Sequence, residues 1–198
     1  FEQDQTTSSY ISGCAPGWTC YAGGSHVLVR SGNAARGGLA AHEGNYYFVI
    51  QNTGSAPALA LSQTITIPAH IAQVRISFWT AERPGYGDVD LEVLFEGTSL
   101  ARYALTSTFV SKEVTISVAD SATPTVGVLS LRIHAVACLI RDDGTSDCSA
   151  FLDSFTTELV CVSETGFVLD CGTNSGPGTC AAGFGTNDSG ATCVACGT

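Results

Sequence analysis

The sequence is poor in positive charge and in good helix formers. Its 198 residues include no methionine, a single lysine at Lys112, and eight basic residues against eighteen acidic ones. The net charge of −10, with no run of Lys or Arg to make a local basic patch, excludes a nucleic-acid backbone as a partner. Long apolar runs are missing too. The longest candidates, such as Val126–Ile133, are strand-length and far short of the ~20 residues a membrane helix requires. Insertion of this segment into a membrane is therefore not expected. No signal peptide precedes Phe1, and the abrupt start reads as a mature or excised product of a longer precursor.

The signatures of common catalytic centres are also lacking: no Gly-x-Ser-x-Gly elbow, no His-Glu-x-x-His and no phosphate loop. His26, His42, His70 and His134 are scattered, and nothing in the sequence sets one beside a nucleophile. Asp88 and Asp90 could be cast as a glycosidase pair, but adjacent carboxylates on a solvated strand have no means of raising one pKa. The chain is not expected to be an enzyme.

What is present is a large apolar fraction, 44% of residues, together with 22 glycines and abundant Thr, Ser and Val. That composition supports a real core built from strands and turns. Nine cysteines are too many for a reduced cytosol unless they hold metal. A zinc site needs two closely spaced ligand pairs, and only Cys193-Val-Ala-Cys196 has that form. Disulfides are the better reading, and they place the chain outside the cell or on its surface. Sequence alone does not fix connectivity; short loops suggest Cys14–Cys20, Cys138–Cys148, Cys161–Cys171 and Cys180–Cys193. Cys196 is left over, which suggests a partner beyond Thr198.

From Tyr46 to Leu159 short strands follow one another between turn signals: 46–51, 61–67, 74–81, 88–95, 113–118, 126–134 and 150–159, with weaker strands near Phe1 and at 25–30. This pattern predicts an all-β, antiparallel jelly-roll sandwich over residues 1–160. After Cys161 the chain turns to Gly, Thr, Asn and Cys, and residues 161–198 read as a small disulfide-rich module held together by its bridges. Alternation assigns the faces. Val74, Ile76 and Phe78 point inward, as do Val89, Leu91, Val93 and Phe95, and Leu129, Leu131 and Ile133.

Several segments carry a family likeness: Phe1-Glu2, Pro16-Gly17-Trp18-Thr19, Ala41-His42-Glu43-Gly44-Asn45-Tyr46, Leu61-Ser62-Gln63-Thr64-Ile65, Ile76 through Gly85, Leu91 through Gly97, and Phe151-Leu152-Asp153-Ser154-Phe155. In this order they resemble the galactose-binding-domain-like jelly rolls, which include many carbohydrate-binding modules. The tail from Cys180 to Cys196 resembles one unit of the Cys-rich repeats of growth-factor-receptor-like and ephrin-receptor-like arrays, in which the last cysteine belongs to the next unit. The first resemblance implies a non-catalytic recognition module for carbohydrate; the second implies a longer modular parent. The jelly-roll resemblance also implies a structural calcium between first and last strands, which nominates Glu2, Glu43 and Asp153.

Four candidate sites follow. On the outer face the alternation groups Trp79 with Arg75, Ser77, Asp90, Glu92, Arg132 and His134, an aromatic platform with planar polar groups of the kind that suits a sugar. The competing reading has Trp79 covered by the first 45 residues. At a loop edge, Arg83, Tyr86 and Asp88 form a second candidate, with Trp18 and Tyr21 near them; the same residues also make ordinary turn chemistry. Besides the three residues named for calcium, the acidic loop Asp142–Asp147 offers oxygen ligands but lacks EF-hand spacing. Asn187-Asp188-Ser189 is a glycosylation sequon. The alternative to recognition is a structural role as a protomer of an extracellular matrix, wall or filament, with neighbouring protein subunits as partners.

Overall fold

A computed structural model describes residues 10–14, 17–21, 24–52, 58–69, 71, 73–119, 121–139, 148–162, 168–170, 184–186 and 193–195. Within them the chain forms β1 (Tyr10–Ser12), β2 (Thr19–Cys20), β3 (Gly24–Arg30), a 3-10 turn at Ala34–Arg36, β4 (Tyr46–Asn52), β5 (Ala58–Ile67), β6 (Gln73–Glu82), β7 (Gly87–Phe95), β8 (Thr98–Ala104), β9 (Val110–Ser117), β10 (Thr125–Cys138), β11 (Cys148–Val162), β12 (Val168–Asp170), β13 (Phe184–Thr186) and β14 (Cys193–Ala195). One sheet has seven strands in the order β1-β3-β4-β11-β6-β9 with β12 on β11; a second has five in the order β2-β5-β10-β7-β8; β13 and β14 pair alone. The registered pairings are antiparallel, and the chain is the all-β sandwich that the alternation predicts.

The strand from Thr98 to Ala104 was not anticipated. A two-residue loop, Glu96-Gly97, makes the turn, with both residues at positive φ (50° and 75°) and Phe95 opposite Thr98. This is the backbone of a type I′ hairpin, whose twist matches that of its strands.

Two compact units divide the chain. The first comprises Phe1–Ile65, Ser77–Val114 and Gly127–Phe155; the second comprises Thr66–Ile76, Thr115–Val126 and Thr156–Thr198. In the first, the inward series read from alternation, Val89, Leu91, Val93, Leu129, Leu131, Ile133 and Phe78, is buried. Phe78 meets Tyr103 of the other sheet edge to face at 6.1 Å and stacks on Phe155 at 5.7 Å. Phe95, assigned inward, is only partly buried because its ring lies over Gly127, where a Cβ would collide with it. In the second unit Ile71, Val74, Ile76, Ile116 and Val160 are buried, Arg75 pairs with Glu158 at 2.9 Å, and β11 continues into its pairing with β12.

One expectation about faces needs correction. The outward face of the seven-stranded sheet is a second apolar layer, not a solvated surface. Register puts Phe151 beside Val49 and Val49 beside Val27. Val29, Tyr47, Val49, Ala81 and Phe151 then form one buried cluster, covered by Leu39, Ala41 and Phe109. The competing reading, in which early residues cover this face, describes the region better.

Disulfides join Cys14 to Cys20 and Cys138 to Cys148, with Cα atoms 5.6 and 5.4 Å apart. Both match the short-loop pairings. Cys161 lies in β11 and Cys193 in β14; Cys171, Cys180, Cys196, Asn187, Glu2 and the 142–147 loop lie outside the described residues.

Candidate functional site

The polar outer face of the five-stranded sheet is built by strand alternation and by one irregularity. On β10, Ser130, Arg132 and His134 alternate with the inward series, as Asp90, Glu92 and Leu94 do on β7; of these, Ser130 and Leu94 are buried. Register sets Arg132 opposite Glu92 and His134 opposite Asp90. Across the next pairing, Glu92 faces Arg102, but only because the register shifts between Val93 and Leu94. An unbroken hairpin from Glu96-Gly97 would have put Ala101 there. The result is a row across three strands, Arg132, Glu92 and Arg102.

Glu92 is the hub of this row. It is 9% exposed, and its Oε2 accepts from His134 Nε2 at 2.8 Å and from Arg132 Nη1 at 3.2 Å. Hydrogen bonds from Ser99 and His134 hold its carboxyl below the usual glutamate range against the opposing effect of burial. Beside it, Arg102 Nε donates to Asp90 at 2.8 Å. Beyond β2, two strands from β10, Tyr21 is 38% exposed and its hydroxyl lies 3.0 Å from Ser62 Oγ. Register pairs Thr19 with Ser62, so Tyr21 presents its ring on this same outward face. Alternation found Asp90, Glu92, Arg132 and His134; it missed Ser99 and Arg102, and placed Tyr21 at the loop edge.

Trp79 and Arg75 do not join this row. Both stand on β6, in the seven-stranded sheet, whereas the row stands on β10, β7 and β8. The grouping failed because a period of two identifies a face within one sheet and cannot say which sheet a strand enters. Trp79, partly buried, instead stacks on the exposed His42, centroids 3.6 Å apart.

The loop carrying His42 is fastened by Asp153. This carboxylate is 3% exposed; its Oδ2 accepts the N–H groups of His42 at 2.8 Å and Glu43 at 3.3 Å, and its Oδ1 accepts that of Ser154 at 2.8 Å. Burial raises its pKa, and these N–H bonds pull the other way. Ser154 adopts φ 47°, donates to Glu43 at 3.2 Å and lies 3.0 Å from His42 Nδ1. Serine, histidine and carboxylate thus meet, but the N–H groups nearest the serine are spent on Asp153 and cannot form an oxyanion hole. Calcium wants six or more oxygens. Here Glu43 and Asp153 come together, Asp153 is occupied by three N–H donors, and no group of three or more metal-ligating side chains occurs among the described residues. Glu2, the third residue nominated for the ion, lies outside the described residues.

At the loop edge, Arg83 lies 3.5 Å over the Tyr86 ring. Asp88 is exposed at the start of β7, and Trp18 is elsewhere, edge to face with Phe155 at 5.2 Å.

No protein-family model and no curated protein matches the chain. Among solved structures, the CBM22-1-CBM22-2 tandem domain from Paenibacillus barcinonensis Xyn10C is similar over 77% of this chain and 45% of its own, with 19% identity and a TM-score of 0.51. The CBM22-1 xylan-binding domain from the same protein is similar over 78% of this chain and 94% of its own (18% identity, TM-score 0.49). TmCBM61, solved with beta-1,4-galactotriose, is similar over 72% and 88% (18% identity, TM-score 0.44). At such identities the likeness is one of fold, and the chain has a jelly-roll β-sandwich.

Proposed function

We propose that the chain is a non-catalytic, extracellular or cell-surface module that binds carbohydrate on the outer face of its five-stranded sheet. The observation that carries this reading is Glu92, a nearly buried carboxylate held in one orientation by Arg132 and His134, on a face that buries Leu94 and Ser130 and leaves Tyr21, Arg102 and Arg132 exposed or partly exposed. Sugar hydroxyls are recognised by planar polar groups fixed in advance, and the apolar side of a pyranose by an aromatic ring. Tyr21 supplies the ring; Glu92, Asp90, Arg102, Arg132 and His134 supply the polar groups. The fold likeness supports the assignment, and two disulfides fit an oxidising compartment.

Catalysis is disfavoured by the same hub. A glycosidase acid needs a raised carboxyl pKa, and Glu92 is shifted down. Residues 161–198 enter this proposal as a Cys-rich module with Asn187 as a glycan acceptor, which peptide mass mapping tests.

Screening the full chain against neutral β-linked oligosaccharides tests the proposal. Tyr21→Ala and Glu92→Gln should each weaken binding about tenfold or more, with the fold retained by circular dichroism. A folded chain that binds no saccharide on the array rejects it.

A further inference from the structure

A second polar cluster lies at one end of the two central strands of the seven-stranded sheet, β4 and β11, apart from the residues assigned above. Two loops meet where Gly37, at φ +89°, packs so closely on Pro84 that a Cβ would come within 2.7 Å of its ring. Each loop carries an arginine immediately before that contact, Arg36 and Arg83. Both are tied to one cross-strand pair: Gln51 stands opposite Ser149, Arg36 Nη1 donates to Gln51 at 3.1 Å, and the Arg83 N–H donates to the Ser149 carbonyl at 3.2 Å. Arg83 is flattened on Tyr86 and 8% exposed, whereas Arg36, Gln51 and Tyr86 are partly exposed.

Tyr47, on the same face of β4 as Gln51, lies within electrostatic reach of Arg36 and Arg83. It is fully buried, and the hydroxyl has no hydrogen-bond partner among the described residues. A buried polar group left unpaired is uncommon and calls for an explanation such as an absent ligand. Burial pushes its pKa up to about 12, against the pull of Arg36 and Arg83, so at neutral pH it remains an O–H donor. Two guanidinium groups and one protonated phenol can all donate here. Their complement is an oxyanion, which arginine forks grip through paired hydrogen bonds.

We propose that Arg36, Arg83 and Tyr47 form a subsite for the anionic group of an acidic saccharide, a uronate carboxylate or a sulfate ester. The choice of a saccharide rests on the carbohydrate-binding reading; the oxyanion chemistry stands on this cluster. The subsite uses a different sheet from the Glu92 row, so a ligand can occupy either alone.

Titration calorimetry of the full chain with a galacturonate trimer, with galactose 6-sulfate and with a neutral galactose trimer separates the possibilities. Saturable binding of either acidic probe, weakened roughly tenfold in Tyr47→Phe and in Arg36→Gln and unchanged in Glu92→Gln, supports the subsite; whichever probe binds names the anion. Tyr47→Phe keeps the buried ring, and Arg36→Gln changes a partly exposed side chain, so at least one variant should fold normally by thermal melting. Failure of both acidic probes to saturate, or binding indifferent to both substitutions, overturns it. If the neutral trimer binds and the acidic probes do not, the Glu92 face stands and this subsite falls; the reverse leaves the subsite without that face.

Discussion

His42 and Trp79 lie face to face, ring centroids 3.6 Å apart and planes within 14°. The stack holds the loop before β4 against the sheet, so Trp79 serves packing. Trp79→Ala should destabilise the chain by about 2–4 kcal/mol while leaving affinity for neutral saccharides within twofold. Urea denaturation beside calorimetry checks both; loss of affinity at unchanged stability would return Trp79 to the binding face.

Glu92 makes stability depend on pH. Its carboxyl pKa in the folded chain is below the ordinary glutamate value of 4.5, so the unfolded chain binds the proton first. The carboxylate's contribution is therefore complete above that value and disappears as pH falls through the lowered one. Wild type and Glu92→Gln should differ in urea midpoint at pH 7 and converge as the pH falls below the ordinary glutamate range. A difference that persists undiminished in acid would contradict this.

Ser154 occupies left-handed backbone at φ 47°, a conformation costing a non-glycine residue about 1–2 kcal/mol. Its hydroxyl also holds Glu43. Ser154→Ala keeps the strain and loses the bond, whereas Ser154→Gly loses the bond and relieves the strain. The glycine variant should be the more stable by about 1 kcal/mol, measurable by paired thermal melts.

Gly87 sits at φ +98°, and a Cβ there would overlap the Ala137 carbonyl. The crowding comes from the irregularity between Ala135 and Ala137, where β10 takes an extra residue against β7. Gly87→Ala should cost about 2–4 kcal/mol. Gly97→Ala, at a similar φ of +75° but with open space around it, should cost less; equal losses would assign the effect to backbone strain alone.

Local pattern in the sequence went far on this fold and stopped at distinct places. Period-two alternation was enough for Val74, Ile76 and Phe78 and for the Leu129 series, because each strand buries one face whatever its neighbours are. β8 was missed because Leu100 and Tyr103 are its only large apolar residues, although Glu96-Gly97 was the signal of a two-residue hairpin. Glu92, Arg132 and His134 could be grouped from their strands. Arg102 could not, because a one-residue register shift decides whether it or Ala101 faces Glu92. Trp79 was grouped with them wrongly, since its membership of the other sheet is set by long-range pairing. Tyr47 gave no signal at all: an aromatic in an apolar strand reads as core, and only its unpaired hydroxyl marks it out.

The Cys138–Cys148 bridge closes a loop of 10 residues, and its removal by Cys138→Ser with Cys148→Ser should lower stability by roughly 2–3 kcal/mol, read from denaturant midpoints. Cys138 ends β10 of the five-stranded sheet, and Cys148 begins β11 of the seven-stranded sheet. The bond thus joins the strand bearing Arg132 and His134 to the other layer. A tug on a ligand held at the proposed face would travel along β10 into a covalent bond instead of shearing two layers held by packing. Under mechanical load the bridged sandwich should yield at a higher force than the reduced one.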